Sequence, residues 1–80
     1  MNDVKQWTWK LDMSAKTCFN EENKVIVKIE KAGKELKGKI LDMSNELFDR
    51  IAGLINGPMV VQQITLAAEY EFLRANGREI

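Results

Sequence analysis

Between residues 58 and 76 the apolar residues recur on two opposite sides of a helix. At 3.6 residues per turn, Val60, Val61, Ile64, Ala67, Ala68 and Phe72 fall on one side. Met59, Leu66, Tyr70 and Leu73 fall roughly opposite. Gln62, Thr65 and Glu69 separate the stripes on one flank, Gln63 and Arg74 on the other. One stripe is enough to seat a helix on a small core. The second predicts a second partner, and for a chain of 80 residues another copy of itself is the first candidate. Met59, Leu66 and Leu73 are spaced by one heptad, the repeat of a helix–helix seam. Packing of Met59 and Tyr70 against the N-terminal residues or the 14–23 connection is the intramolecular alternative.

The first half of the chain alternates with period two. In residues 7–13, Trp7, Trp9, Leu11 and Met13 share one side, opposite Thr8, Lys10 and Asp12. That is the pattern of a half-buried strand. Thr17, Cys18 and Phe19 allow a short strand, and residues 20–23 read as a turn. Val25, Val27 and Ile29 alternate with Lys24, Lys28 and Glu30, and Leu36 and Ile40 alternate with Glu35, Lys37 and Lys39. Ala32-Gly33 supplies the turn between them. Pairing Ile29 with Leu36, Val27 with Gly38 and Val25 with Ile40 collects the large apolar residues on one face. A one-residue slip sets Ile29 against Glu35 and Val27 against Lys37, which burial forbids. The chosen register also sets Lys28 opposite Lys37 and Glu30 opposite Glu35. Ile26 and Leu41 stay on the lysine face as apolar exceptions.

Asp42 or Ser44 then caps a helix with a single stripe of Leu47, Phe48, Ile51, Leu54 and Ile55. Gly57 is expected to end it as a left-handed cap, Pro58 to open the next helix, and Asn76-Gly77 to stop that one. The order predicts an α+β fold: a three-stranded antiparallel meander followed by two helices packed on one face, a two-layer βββαα arrangement. Residues 1–80 make one small domain. Leu-Asp-Met-Ser occurs at residues 11–14 and 41–44. Each copy closes a strand, and the flanks do not match, so shared strand-exit chemistry is read here rather than duplication.

Composition adds limits. Hydrophobic residues at 45% and charged residues at 30% belong to a globular chain. One cysteine forms no internal disulfide, so packing alone must hold the fold. Residues 1–10 show no signal pattern and no apolar run is long enough to span a bilayer, so a cytoplasmic protein without a membrane partner is expected. Acidic and basic residues balance at 12 each but are segregated. Residues 24–39 carry six lysines against Glu30 and Glu35, whereas residues 41–72 carry Asp42, Glu46, Asp49, Glu69 and Glu71 against Arg50.

Histidine is absent, which removes nucleophile–histidine catalysis and, with one cysteine, a structural zinc site. No phosphate-binding glycine loop is present. Glu21-Glu22 and the Glu69 and Glu71 pair read as solvated surface. No catalytic, cofactor or metal residues are expected, and the protein is read as no enzyme. Cys18 reads as a small buried hydrophobe. Lys10, Lys24, Lys28, Lys37 and Lys39 form a candidate face for an anionic partner, an acidic protein or nucleic acid. Trp7 and Trp9 are expected in the core with Leu11 and Met13. That leaves the lysine face without an aromatic platform and weighs, with the zero net charge, against nucleic acid. The functional expectation is a non-catalytic protein–protein interaction module, a small adaptor or regulatory subunit. It forms a homodimer through Met59, Leu66, Tyr70 and Leu73. The alternative is a nucleic-acid-binding module using the lysine face.

Overall fold

The computed structural model describes residues 4–76. A 3-10 turn at Val4–Gln6 leads into β1 (Lys10–Asp12), β2 (Thr17–Asn20), β3 (Val25–Ala32) and β4 (Glu35–Asp42), then α1 (Asn45–Ala52) and α2 (Gly57–Asn76). The strands form one antiparallel sheet in chain order. The α+β class holds, but the meander has four strands rather than three. The added strand is β2, in which Cys18 pairs with Leu11 on one side and Val27 on the other. The first strand is correspondingly shorter than the alternation of residues 7–13 predicts. Trp7 and Trp9 precede β1, where Asn20 Nδ2 donates to the carbonyl of Thr8 at 3.0 Å. A side chain, not a ladder, anchors that stretch.

The β3–β4 hairpin keeps the predicted faces in a register shifted by two residues. Ile29 faces Gly38, Val27 faces Ile40, and Ala32 faces Glu35 around a Gly33-Lys34 turn. Gly33 takes φ +65 there, a value glycine reaches without a Cβ penalty. A two-residue shift preserves which side chains share a face. It also brings Glu30 opposite Lys37 in place of the predicted like-charged pairing, while Lys28 meets Lys39. The pairing jumps by one residue between Ile26 and Val27, and Leu41 is exposed at this bulge.

Ser44 caps α1: its Oγ accepts the N–H of Leu47 at 3.2 Å. Asp42 instead accepts the N–H of Met43, and Asp12 accepts that of Ala15. Both copies of Leu-Asp-Met-Ser thus place their aspartate last in a strand, accepting an amide just beyond it. The helix then ends at Gly53, whose N–H donates to the carbonyls of Asp49 and Arg50. Gly57 is not its left-handed cap but the first residue of α2. The predicted five-residue stripe is therefore split. Leu47 and Ile51 are buried, whereas Phe48, Leu54 and Ile55 are exposed. The last two lie beyond the helix, where its periodicity no longer directs them inward. Of the predicted stop at Asn76-Gly77, Asn76 is the last helical residue and Gly77 lies outside the described residues.

Val25, Val27 and Ile29 of the sheet, Leu47 and Ile51 of α1, and Val60, Ile64, Ala68 and Phe72 of α2 make the core with Val4 and Cys18. Gly57 is required by proximity: a Cβ there would lie 2.6 Å from the carbonyl oxygen of Ile51. Gly57→Ala is expected to destabilise by about 1–3 kcal/mol, although alanine is the better helix former by about 1 kcal/mol. A urea midpoint no lower than wild type contradicts this close approach.

Candidate functional site

Four flanks of α2 meet four different surroundings. Its inner stripe is buried as predicted at Val60, Ile64, Ala68 and Phe72, with Val61 and Ala67 half-buried. Its Thr65 and Glu69 flank reaches β4, where a Cβ on Gly38 would lie 3.2 Å from both the Thr65 carbonyl oxygen and Glu69 Oε2. The Gly38 N–H donates to that carboxylate at 2.8 Å. In a hairpin closed at Ala32 and Glu35, the amides of alternate β4 residues point away from β3. Glu69 therefore satisfies an amide on the open edge of the sheet. It is not part of a paired carboxylate site: Glu71 bonds Arg74 at 3.1 Å instead. Among the described residues no group of three or more His, Cys, Asp or Glu side chains converges on a metal position.

The outer flank carries the second stripe. Met59 is 57%, Leu66 52% and Tyr70 62% exposed; Leu73 is half-buried. The remaining flank faces the N-terminal segment and encloses a groove of about 690 Å³. Trp7, Trp9 and Val4 form one wall, Leu66, Tyr70 and Ala67 the other, with Lys5, Gln63, Glu71 and Arg74 supplying polar groups. The indoles lie 5.9 Å apart between ring centroids, tilted by 40°, within the range of favourable aromatic pairs. Both are half-buried rather than sealed in the core. Periodicity marks the outer stripe, but the groove depends on where the N-terminal segment docks. Sequence reasoning therefore missed Trp7 and Trp9 as surface walls. Ile55, fully exposed just ahead of α2, was likewise missed because it continues the α1 phase.

The lysine candidates are only partly assembled. Cross-strand pairing places Lys10, Lys28, Lys37 and Lys39 on the sheet face opposite the helices. Lys24 instead occupies the β2–β3 turn with a left-handed φ of 53. Lys10 binds Glu21 at 2.7 Å, a contact that holds the Glu21 carboxyl below its ordinary value through the hydrogen bond and the ammonium charge. Glu30 stands opposite Lys37. The face also holds an aromatic after all: Phe19 pairs with Lys10 on one side and Ile26 on the other. The inward alternation of Cys18 and Asn20 was the signal for it.

Cys18 is fully buried, its Sγ 3.5 Å from the carbonyl oxygen of Ala68. Burial, assisted by the charge of Glu71, pushes the thiol up from 9.0 to about 11. The unfolded chain therefore releases this proton first as pH rises. The thiol's contribution is fully present below pH 9 and lost towards pH 11, about 3 kcal/mol over that interval. Urea midpoints of wild type and Cys18→Ala should converge or cross between pH 8 and 10.5; parallel curves contradict the burial effect.

Together the fold and this surface define a small α+β domain with an apolar helix face and an aromatic groove open to solvent among the described residues. No family model, curated protein or solved structure matches the chain. No helix among the described residues is long and apolar enough to cross a membrane.

Proposed function

We propose that this chain is a non-catalytic protein–protein interaction module, an adaptor or regulatory subunit that self-associates through α2. The observation that carries the reading is the outward exposure of Met59, Leu66 and Tyr70 along one helix face. Apolar side chains exposed along one helix face gain free energy by leaving water. The groove beside it extends that surface with both indoles of the chain. Sedimentation across a concentration range should show a dimer, and Leu66→Glu with Tyr70→Glu should raise its dissociation constant at least tenfold. Both positions are more than half exposed, so the variant should keep the wild-type circular dichroism spectrum. A wild-type monomer at every concentration overturns the proposal, as does an unweakened dimer in the double variant.

The second reading is a nucleic-acid-binding module on the outer sheet face, favoured by Phe19 among Lys10, Lys28 and Lys39. Stacking on an aromatic with lysines at phosphates is a recognised single-strand mode. Glu21 and Glu30 oppose it by sitting at two of the lysines. Binding of single-stranded DNA that weakens steeply with salt would move the functional surface to this face. An acidic protein is the other partner class for the same lysines.

A further inference from the structure

β4 is the long outer edge of the sheet. It spans eight residues and pairs on one side, with β3. The opposite edge, β1, has three residues, and so short an edge is a poor template for a further strand. The pairing of Ala32 with Glu35 beside the turn fixes the alternation along β4. The amides of Leu36, Gly38 and Ile40 therefore point away from β3. A row of outward amides on a long strand invites another strand to pair with it.

The middle of that row is already occupied. The Gly38 N–H donates to Glu69 Oε2 at 2.8 Å, the length of a good ladder bond. A Cβ on Gly38 would lie 3.0 Å from Val27 Cγ1 and 3.2 Å from the Thr65 carbonyl oxygen. The glycine thus lets α2 approach β4 closely enough for a side chain rooted on the inner face to reach round to the edge. Glu69 is half-buried, and a charged acceptor holds an amide more strongly than a neutral carbonyl does. Its carboxylate oxygen sits where the carbonyl oxygen of an added strand would have to sit. Strand addition across the centre of β4 must displace Glu69.

We propose that Glu69 closes the β4 edge against pairing with a second copy of this chain. The strand kept out is β4 of that copy, since two identical edges present the same outward row and meet about a two-fold axis as an antiparallel pair. Centred on Gly38, such a pair sets Lys37 of each copy opposite Lys39 of the other. Those like charges add a second barrier, one that salt screens. The same helix thereby supplies part of the core and the cover of the one long edge. Association through the outer stripe of α2 leaves the β4 amides untouched, so edge pairing and that contact are read separately.

Amide hydrogen exchange on the full chain tests this role. The Gly38 amide should exchange at least about tenfold faster in Glu69→Ala than in wild type, with the amides shared between β2 and β3 unchanged. At high salt, raising the concentration of Glu69→Ala should slow exchange at Leu36, Gly38 and Ile40 together, in step with a rise in sedimenting mass. Wild type should show no such slowing at these three amides. Glu69→Gln keeps a neutral acceptor of the same reach and should behave as wild type. Glu69→Met keeps the stem without the carboxylate and should repeat the alanine result, so a folding defect in one variant does not decide the outcome. An unchanged Gly38 amide in both variants that lack the acceptor overturns the proposal. A faster Gly38 amide with no slowing at any concentration overturns it too, as does concentration-dependent slowing of the three amides in wild type.

Discussion

Ile64→Ala is expected to lower the unfolding free energy by about 2–5 kcal/mol, a large share of the stability available to a domain of this size. Ile64 is fully buried in the middle of α2 and shares the core with Val27 and Ile29. Truncation removes apolar contact and leaves a void that helix and sheet close only in part. At roughly 4–8 °C per kcal/mol for small domains, thermal unfolding should move down by ten degrees or more. Leu66→Ala, two residues further along the same helix, supplies the contrast. More than half of that side chain is exposed, so its removal from the monomer should change stability by less than about 1 kcal/mol. Equal losses at both positions, measured by urea unfolding at monomeric concentration, would contradict the assignment of inner and outer stripes.

Asn20→Asp should be nearly as damaging, by about 3 kcal/mol at neutral pH. Asn20 is the one buried polar side chain among the described residues, and both ends of its amide are used. Nδ2 donates to the Thr8 carbonyl at 3.0 Å, while Oδ1 accepts the Asn23 N–H at 2.8 Å and Asn23 Nδ2 at 3.1 Å. The Asn23 carbonyl in turn accepts the N–H of Ser44 at 3.1 Å. One amide thereby joins the N-terminal segment, the β2–β3 turn and the entry to α1. A carboxylate keeps the acceptor but turns a second negative oxygen towards the Thr8 carbonyl. Protonation restores a donor there, so the folded state raises the pKa of the introduced acid above the usual value of about 3.9. The variant should recover stability relative to wild type as pH falls through the raised value towards 4. A deficit that does not shrink between pH 7 and 4 contradicts this hydrogen-bond assignment. Because Trp7 and Trp9 flank Thr8, the same variant should alter indole emission before global unfolding.

Legibility varied with how local the determining forces are. The inner stripe of α2 was read correctly because burial on one side of a long helix imprints its period on the chain. β2 was allowed at Thr17, Cys18 and Phe19 but not counted in the meander, because four residues whose inward positions are a cysteine and an asparagine carry no strong apolar alternation. The hairpin register was two residues off for a different reason. Registers that differ by two put the same residues inside, so patterning alone cannot separate them. The observed pairing places Gly38 opposite Ile29, beneath the Thr65 carbonyl and Glu69, a choice made by the helix crossing the sheet. In α1, Leu54 and Ile55 keep the helical phase beyond the residue where the helix stops. Periodicity reports phase and not termination.

The sequence by itself determined the α+β class, the four core positions of α2 and the outward stripe of Met59, Leu66 and Tyr70, since each follows from spacing along one element. It also placed Cys18 inside. Tertiary structure alone decided the fourth strand's pairing, the role of Glu69 at the sheet edge, and the groove between Trp7, Trp9 and α2. The last two of those features join residues thirty or more positions apart, and whether such residues meet depends on how whole elements pack rather than on any local pattern.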